Sequence, residues 1–235
     1  MKTIIILAAG IGSRLRPITE SVPKSLVPVA GVPLLERLVL QILNNSKEHN
    51  IVVVAGYFSE QIITSMDNLS SSIKVVVNND YDKTNNMESC RMGLEAVEYN
   101  DCVIVNADCI YEDGVVNRML NSVGSCIGID SSEYFEENMK VMLINDHVVE
   151  ISKSLPEQSG NFTSIDIYNF VKSDTDELLN IMRSYHDRGD LQKWNEVAIN
   201  DVVKNTPVTV IDFNGLGWVE IDNHDDLNKA EAIFK

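Results

Sequence analysis

Short runs rich in Ile and Val recur at 3–7, 51–55, 73–77 and 102–106, and stretches with helical apolar spacing separate them near 33–44, 59–66 and 87–98. Strands that are apolar without interruption are those buried on both faces, and strand–helix alternation lays each crossover helix against the sheet. The first half therefore predicts a parallel sheet covered on both sides. The fold class expected is α/β, doubly wound, with a mixed but mainly parallel, Rossmann-like sheet in a single domain over 1–235. Beyond 126 the pattern changes. Runs at 140–145 and 148–151 flank Asn145-Asp146, which signals a hairpin, and 164–170 predicts another strand. Helices follow at 175–185 and 195–204, strands at 208–213 and 218–221, and Asn223 can cap a last helix over 225–234.

The chain has 235 residues, 44% of them hydrophobic, which suits one globular domain. Its 35 acidic and 19 basic residues give a net charge of −16. That sign argues against nucleic acid or an anionic membrane as partner, since both favour basic patches. The charge is uneven, however. Residues 1–40 carry Lys2, Arg14, Arg16, Lys24 and Arg37 against Glu20 and Glu36. Cations gathered there in an otherwise anionic chain point to a phosphate. Cys90, Cys102, Cys109 and Cys126 form no C-x-x-C pair and have no His at metal spacing, so free buried thiols are expected. The N-terminus enters a strand at once, with no signal-peptide pattern, and no apolar run approaches the ~18 residues of a membrane span. A soluble, cytoplasmic protein is the expectation.

The most informative stretch is Leu7-Ala8-Ala9-Gly10-Ile11-Gly12-Ser13-Arg14-Leu15-Arg16-Pro17-Ile18-Thr19, followed by Pro23-Lys24-Ser25-Leu26 and Gly31-Val32-Pro33. Small residues and two glycines after a strand let backbone N–H groups approach an anion closely. A P-loop would need G-x-x-x-x-G-K-[ST], which is absent. A dinucleotide fingerprint would need glycine at 15, which is Leu, and an acid about 20 residues on, where Pro28 and Gly31 stand instead.

This string resembles the signature of the nucleotidylyltransferase superfamily, L-A-A-G-x-G-x-R-L-x-P-x-T, then P-K-x-L and G-x-P, matched here at every position. The resemblance extends more loosely to Val105-Asn106-Ala107-Asp108 and to Trp218-Val219-Glu220-Ile221-Asp222, and so spans nearly the whole chain. It implies a GT-A-like nucleotidyltransferase fold with a nucleotide-binding half at 1–125 and an acceptor-binding half at 126–235. It also implies that the backbone of Leu7, Ala8, Ala9, Gly10 and Gly12 holds the base and ribose, and that Arg14 and Lys24 hold the triphosphate. Asp108 and Asp222 would hold Mg²⁺, with Glu220 an alternative to Asp222. Physical chemistry agrees, because Mg²⁺ takes one or two carboxylates plus phosphate oxygens and water. Nucleotidyl transfer itself rests on positioning and cationic stabilisation.

Relatives that read uracil or thymine carry a Gln and a G-T-A-like string after the third strand, where this chain has Asn78 to Ser89. Its Tyr-x-x-x-Asn-Asn-x-x-Ser pattern resembles the small cytidylyltransferases acting on phosphocholine and phosphoglutamine, and so implies CTP. Asn85 and Ser89 are candidates for contacts to cytosine or ribose, although both residue types also cap helices. Glu150-Ile151-Ser152-Lys153 resembles an E-K-P segment whose Lys meets the acceptor phosphate, and Glu196, after Trp194-Asn195, is a candidate partner for an ammonium group. The segment 136–139 holds acids and no Trp, while a quaternary ammonium calls for a cage of aromatics. The expected reaction is CMP transfer from CTP to a small phosphorylated amine or amino acid, best phosphoglutamine, with release of pyrophosphate and a role in capsule decoration. Partners are then CTP and that acceptor, with a homodimer left open. A sugar-1-phosphate enzyme using UTP, dTTP or GTP, and a non-catalytic regulatory module of the same fold, are the alternatives.

Overall fold

Along β1 (Thr3–Ala8) the side chains alternate, Ile4, Ile6 and Ala8 entering one apolar layer and Ile5 and Leu7 the other. Both faces of the strand are covered, which is why its sequence shows no polar face. The computed structural model describes residues 1–45 and 48–235. After β1 the chain makes a glycine-rich turn and a small hairpin, β2 (Pro28–Val29) with β3 (Val32–Pro33), before α1 (Leu34–Asn45). β4 (Asn50–Ala55), α2 (Ser59–Leu69), β5 (Lys74–Val77), α3 (Asn86–Glu95) and β6 (Cys102–Asn106) follow. β5, β4, β1 and β6 lie side by side in that order, all parallel. The strand order therefore reverses between β1 and β6. A crevice opens at the carboxyl ends of strands at such a switch point, and ligands of open α/β sheets bind there.

The remaining chain widens this sheet and builds one wall of the crevice. It comprises β7 (Cys109–Tyr111), α4 (Asp113–Leu120), β8 (Cys126–Asp130), β9 (Lys140–Ile144), β10 (His147–Ser152) and β11 (Asn161–Phe170). Then come α5 (Lys172–Asp187), α6 (Asn195–Val203), β12 (Thr209–Asp212), β13 (Trp218–Glu220) and α7 (His224–Ile233). β11 runs antiparallel to β6 and extends the sheet to β9 and β10, while β8 pairs with β11 and β12. Asn145 and Asp146, at φ 51° and 64°, make the tight turn of the β9–β10 hairpin that the sequence predicts. β7, α4 and β8 have no counterpart in the sequence reading. They are short, and the apolar face of α4 (Val115, Val116, Met119, Leu120) spans too few turns to show a period.

Residues of α1, α2 and α4 fill the layer on one face of the sheet, and those of α3, α5 and α6 the layer on the other. All four cysteines are free and buried. Among the described residues, no helix is long and apolar enough to cross a membrane. α3 approaches the sheet closely because Gly93 faces it: a Cβ there would lie 2.8 Å from Cγ2 of both Ile5 and Val54. Gly93→Val is expected to cost about 1–3 kcal/mol by overpacking. It should lower the urea midpoint without changing the m-value, and an unchanged midpoint would contradict the packing.

Candidate functional site

The turn after β1 passes through Ala9 and Gly10, reaches Gly12 in the left-handed region at φ 67°, and returns through three short 3₁₀ turns. Thr19 Oγ1 donates to the Gly12 carbonyl at 2.8 Å and closes the loop on itself. A Cβ at Gly10 would meet nothing within 4 Å, so the backbone there borders open space. That space is a cavity of about 250 Å³ at the switch point. Leu7, Ala9, Gly10, Asn85, Ser89, Asp108, Lys153 and Glu196, all expected from the sequence, line it. Ala8 turns its side chain into the core instead, as its place on β1 requires. Asn85 caps α3 by accepting from the Asn86 N–H at 2.8 Å, and Ser89 accepts from Asn78 Nδ2 at 3.1 Å, so each has a structural partner as well as a place on the wall.

Beside the cavity lies a charge network. Lys24 Nζ stands 2.7 Å from Asp108 Oδ2 and 2.7 Å from Asp222 Oδ1, and Arg14 Nη2 is 2.7 Å from Asp222 Oδ2. Asp108 follows β6 and Asp222 follows β13. Antiparallel pairing of β13 with β7 brings them together, continued by the Ile221 N–H donating to the Asp108 carbonyl at 2.9 Å. Burial opposes the Lys24 charge, but Asp108 and Asp222 outweigh it and raise the pKa of the ammonium. Burial likewise opposes ionisation of Asp222, yet Lys24 and Arg14 hold its carboxyl below the usual range. Glu220 completes an acidic triad with ligand atoms within 4.8 Å of one another. Its own burial, with Asp166, Asp108 and Asp222 nearby, pushes it up to about 9. Three carboxylates around one point form an all-oxygen donor set of the kind a hard dication takes.

The cavity wall is acidic. Asp108, Asp166, Glu196 and Glu220 line it, and among the described residues Lys153 is the one lining cation. Asp166 is a non-glycine residue at φ 57°, placed where the register of β11 with β8 breaks between Ser164 and Tyr168. The Tyr168 hydroxyl lies 3.1 Å from Asp166 Oδ1 and 2.9 Å from Glu196 Oε1, one proton facing two carboxylates. Burial, with Glu196 and Asp108 close by, raises Asp166 to about 7. Burial also raises Glu196, whose Oε2 has no hydrogen-bond partner among the described residues. On the same wall, Lys153 Nζ sits 5.5 Å from the centroid of the Trp194 ring.

Sequence reasoning missed Asp166 and Tyr168. The signal was the alternation Ser164, Asp166, Tyr168 against Ile165 and Ile167 in a strand with no solvent face. The segment 136–139 carries no aromatic ring, and Tyr81 and Trp194, distant from it along the chain, supply rings on the wall.

Comparisons with known proteins bear on the family of the chain. The family model described as "Nucleotidyl transferase" matches residues 3–125. The bifunctional protein GlmU of Methanococcus aeolicus is 28% identical over 97% of this chain and 53% of its own length. The choline-phosphate cytidylyltransferase of Haemophilus influenzae is 27% identical over 95% of this chain and 94% of its own. The chain spans about half the length of several curated relatives it matches. Among solved structures, the CTP:phosphocholine cytidylyltransferase LicC of Streptococcus pneumoniae superposes with a TM-score of 0.84, at 24% identity and full coverage of both chains. The matched region covers more than half of the sequence and contains the glycine-rich turn, Lys24 and Asp108, and so the chain belongs to the nucleotidyl transferase family.

Proposed function

We propose that this protein transfers CMP from CTP to a small phosphorylated acceptor that carries an amine, releasing pyrophosphate. The observation that carries the reading is one cavity joining two chemistries, a glycine-rich turn with Lys24 and Arg14 beside it and an acidic wall that includes Lys153. On this reading the backbone of Leu7 to Gly10 and Gly12 receives the base and ribose, and Asn85 and Ser89 contact cytosine or ribose. Arg14 and Lys24 bind the triphosphate. Asp108 and Asp222, with Glu220 beside them, would hold Mg²⁺, which when bound offsets the charge on the phosphates. An acceptor phosphate oxygen attacks the α-phosphorus in line. The new P–O bond forms as the bond to the bridging oxygen breaks, and pyrophosphate departs with the electron pair. That oxygen is already ionised at neutral pH, so no protein nucleophile is needed. Lys153 pairs with the acceptor phosphate, and Glu196 and Asp166 face its ammonium.

Pyrophosphate release with CTP and a panel of phosphorylated acceptors tests the reading. Turnover with UTP, dTTP or GTP and a sugar 1-phosphate, but not with CTP, would overturn it, as would none with any triphosphate. Within the panel, phosphoglutamine is expected to exceed phosphocholine in kcat/KM by about tenfold or more. A trimethylammonium offers no N–H to Glu196 or Asp166, and a buried carboxylate left unpaired is costly. Two rings, Tyr81 and Trp194, line the cavity, and Trp194 already faces Lys153. A ratio favouring phosphocholine would reassign the acceptor and leave the cytidylyltransferase reading standing.

A further inference from the structure

We propose that Lys24 is the resident counter-ion of the acidic triad, excluding free divalent metal from it, and that metal enters only with a polyphosphate that draws the ammonium away. The inference rests on reading Asp108 and Asp222 as the metal carboxylates, and goes beyond it to what those carboxylates hold when no nucleotide is bound.

Three observations lead there. The first is position. One ammonium lies 2.7 Å from an oxygen of each carboxylate, between the two groups a metal would bridge. A Mg²⁺ ion needs oxygens at about 2.0–2.1 Å, and it cannot take both carboxylates while the ammonium stays between them. The second is charge. Lys24 and Arg14 already pair with Asp108 and Asp222 at 2.7 Å. A dication added there meets two cations at close range. Moving Lys24 away removes the nearer one.

The third observation supplies the means of moving it. The Lys24 stem runs against the glycine-rich turn, where a Cβ on Gly12 would lie 2.7, 3.0 and 3.2 Å from Lys24 Cβ, Cγ and Cδ. The ammonium at the end of that stem reaches Asp108, which lines the cavity. An ammonium has three donors, and Lys24 directs two of them at the carboxylates. A phosphate oxygen arriving at the turn can take the third and then compete for the others. Its charge shifts the balance: as Lys24 moves towards the polyphosphate, Asp108 and Asp222 lose their counter-ion and are left for the metal that travels with the nucleotide.

Equilibrium dialysis with Mn²⁺, a paramagnetic substitute for Mg²⁺, reads this without turnover. The free wild-type protein is expected to retain little Mn²⁺, and to retain it once CTP is added. Lys24→Met keeps the stem and removes the charge. It is expected to bind Mn²⁺ without nucleotide at least about tenfold more tightly than wild type, to gain thermal stability from Mn²⁺, and to lose both effects when combined with Asp108→Asn. Wild-type protein that binds Mn²⁺ equally well with and without CTP overturns the inference, whether or not the variant folds. A folded Lys24→Met with no gain in Mn²⁺ affinity does so as well. These failures differ from failure of the underlying reading, which would appear as wild-type turnover indifferent to Mg²⁺.

Discussion

Asp108→Asn is expected to lower CTP-dependent pyrophosphate release by roughly 10³-fold while the protein still folds. The amide keeps an oxygen but not the charge that a hard dication prefers. It also leaves Lys24 with Asp222 as its remaining partner. Folding is spared because the Asp108 side chain is 28% exposed and its carbonyl still accepts from the Ile221 N–H. Initial rates across a Mg²⁺ series, alongside a thermal unfolding curve, make the check. An unchanged rate with unchanged metal dependence would remove Asp108 from the site. Asp222→Asn should move in the same direction, since its carboxylate meets both Lys24 and Arg14.

Lys24→Ala is expected to reduce kcat/KM by about 10²-fold or more, the scale for losing one preorganised charge contact to a transition state. The loss should fall chiefly on kcat and on KM for CTP, because the Lys24 stem lies against the glycine-rich turn, whereas Lys153 is the lysine assigned to the acceptor. Near-normal turnover with CTP would make Lys24 a structural lysine that only neutralises Asp108 and Asp222. The contrast with metal binding is diagnostic. The same charge whose removal slows the reaction is the one whose removal should admit Mn²⁺ to the free protein.

Much of this fold is legible along the chain because its signals are local. The apolar runs of β1, β4 and β6 and the spacing of α1 and α2 need no information from elsewhere. The Asn145-Asp146 turn and the Asn223 cap of α7 are local too, the cap realised as hydrogen bonds to the Asp225 and Asp226 N–H groups. The segment 109–130 was not legible. Its strands and helix are too short to carry a period and depend on partners far along the chain, β7 on β13 and β8 on β11 and β12.

The site divides in the same way. Residue types in Leu7 to Pro33 determined that a glycine-rich turn would follow a buried strand. The resemblance of its signature string assigned Lys24 and Arg14 to the phosphates and marked Asp108 after a later apolar run. Only the tertiary structure decided that β13 pairs with β7, which sets Asp222 and Glu220 beside Asp108, and that Lys24 lies between two of them. Only it turned Asp166 into the cavity, through a left-handed residue at a register break that no spacing rule announces. The physical reason is range: backbone propensity and hydrophobic period act over a few neighbouring residues, whereas the meeting of distant carboxylates is set by strand pairing and charge compensation across the whole sheet.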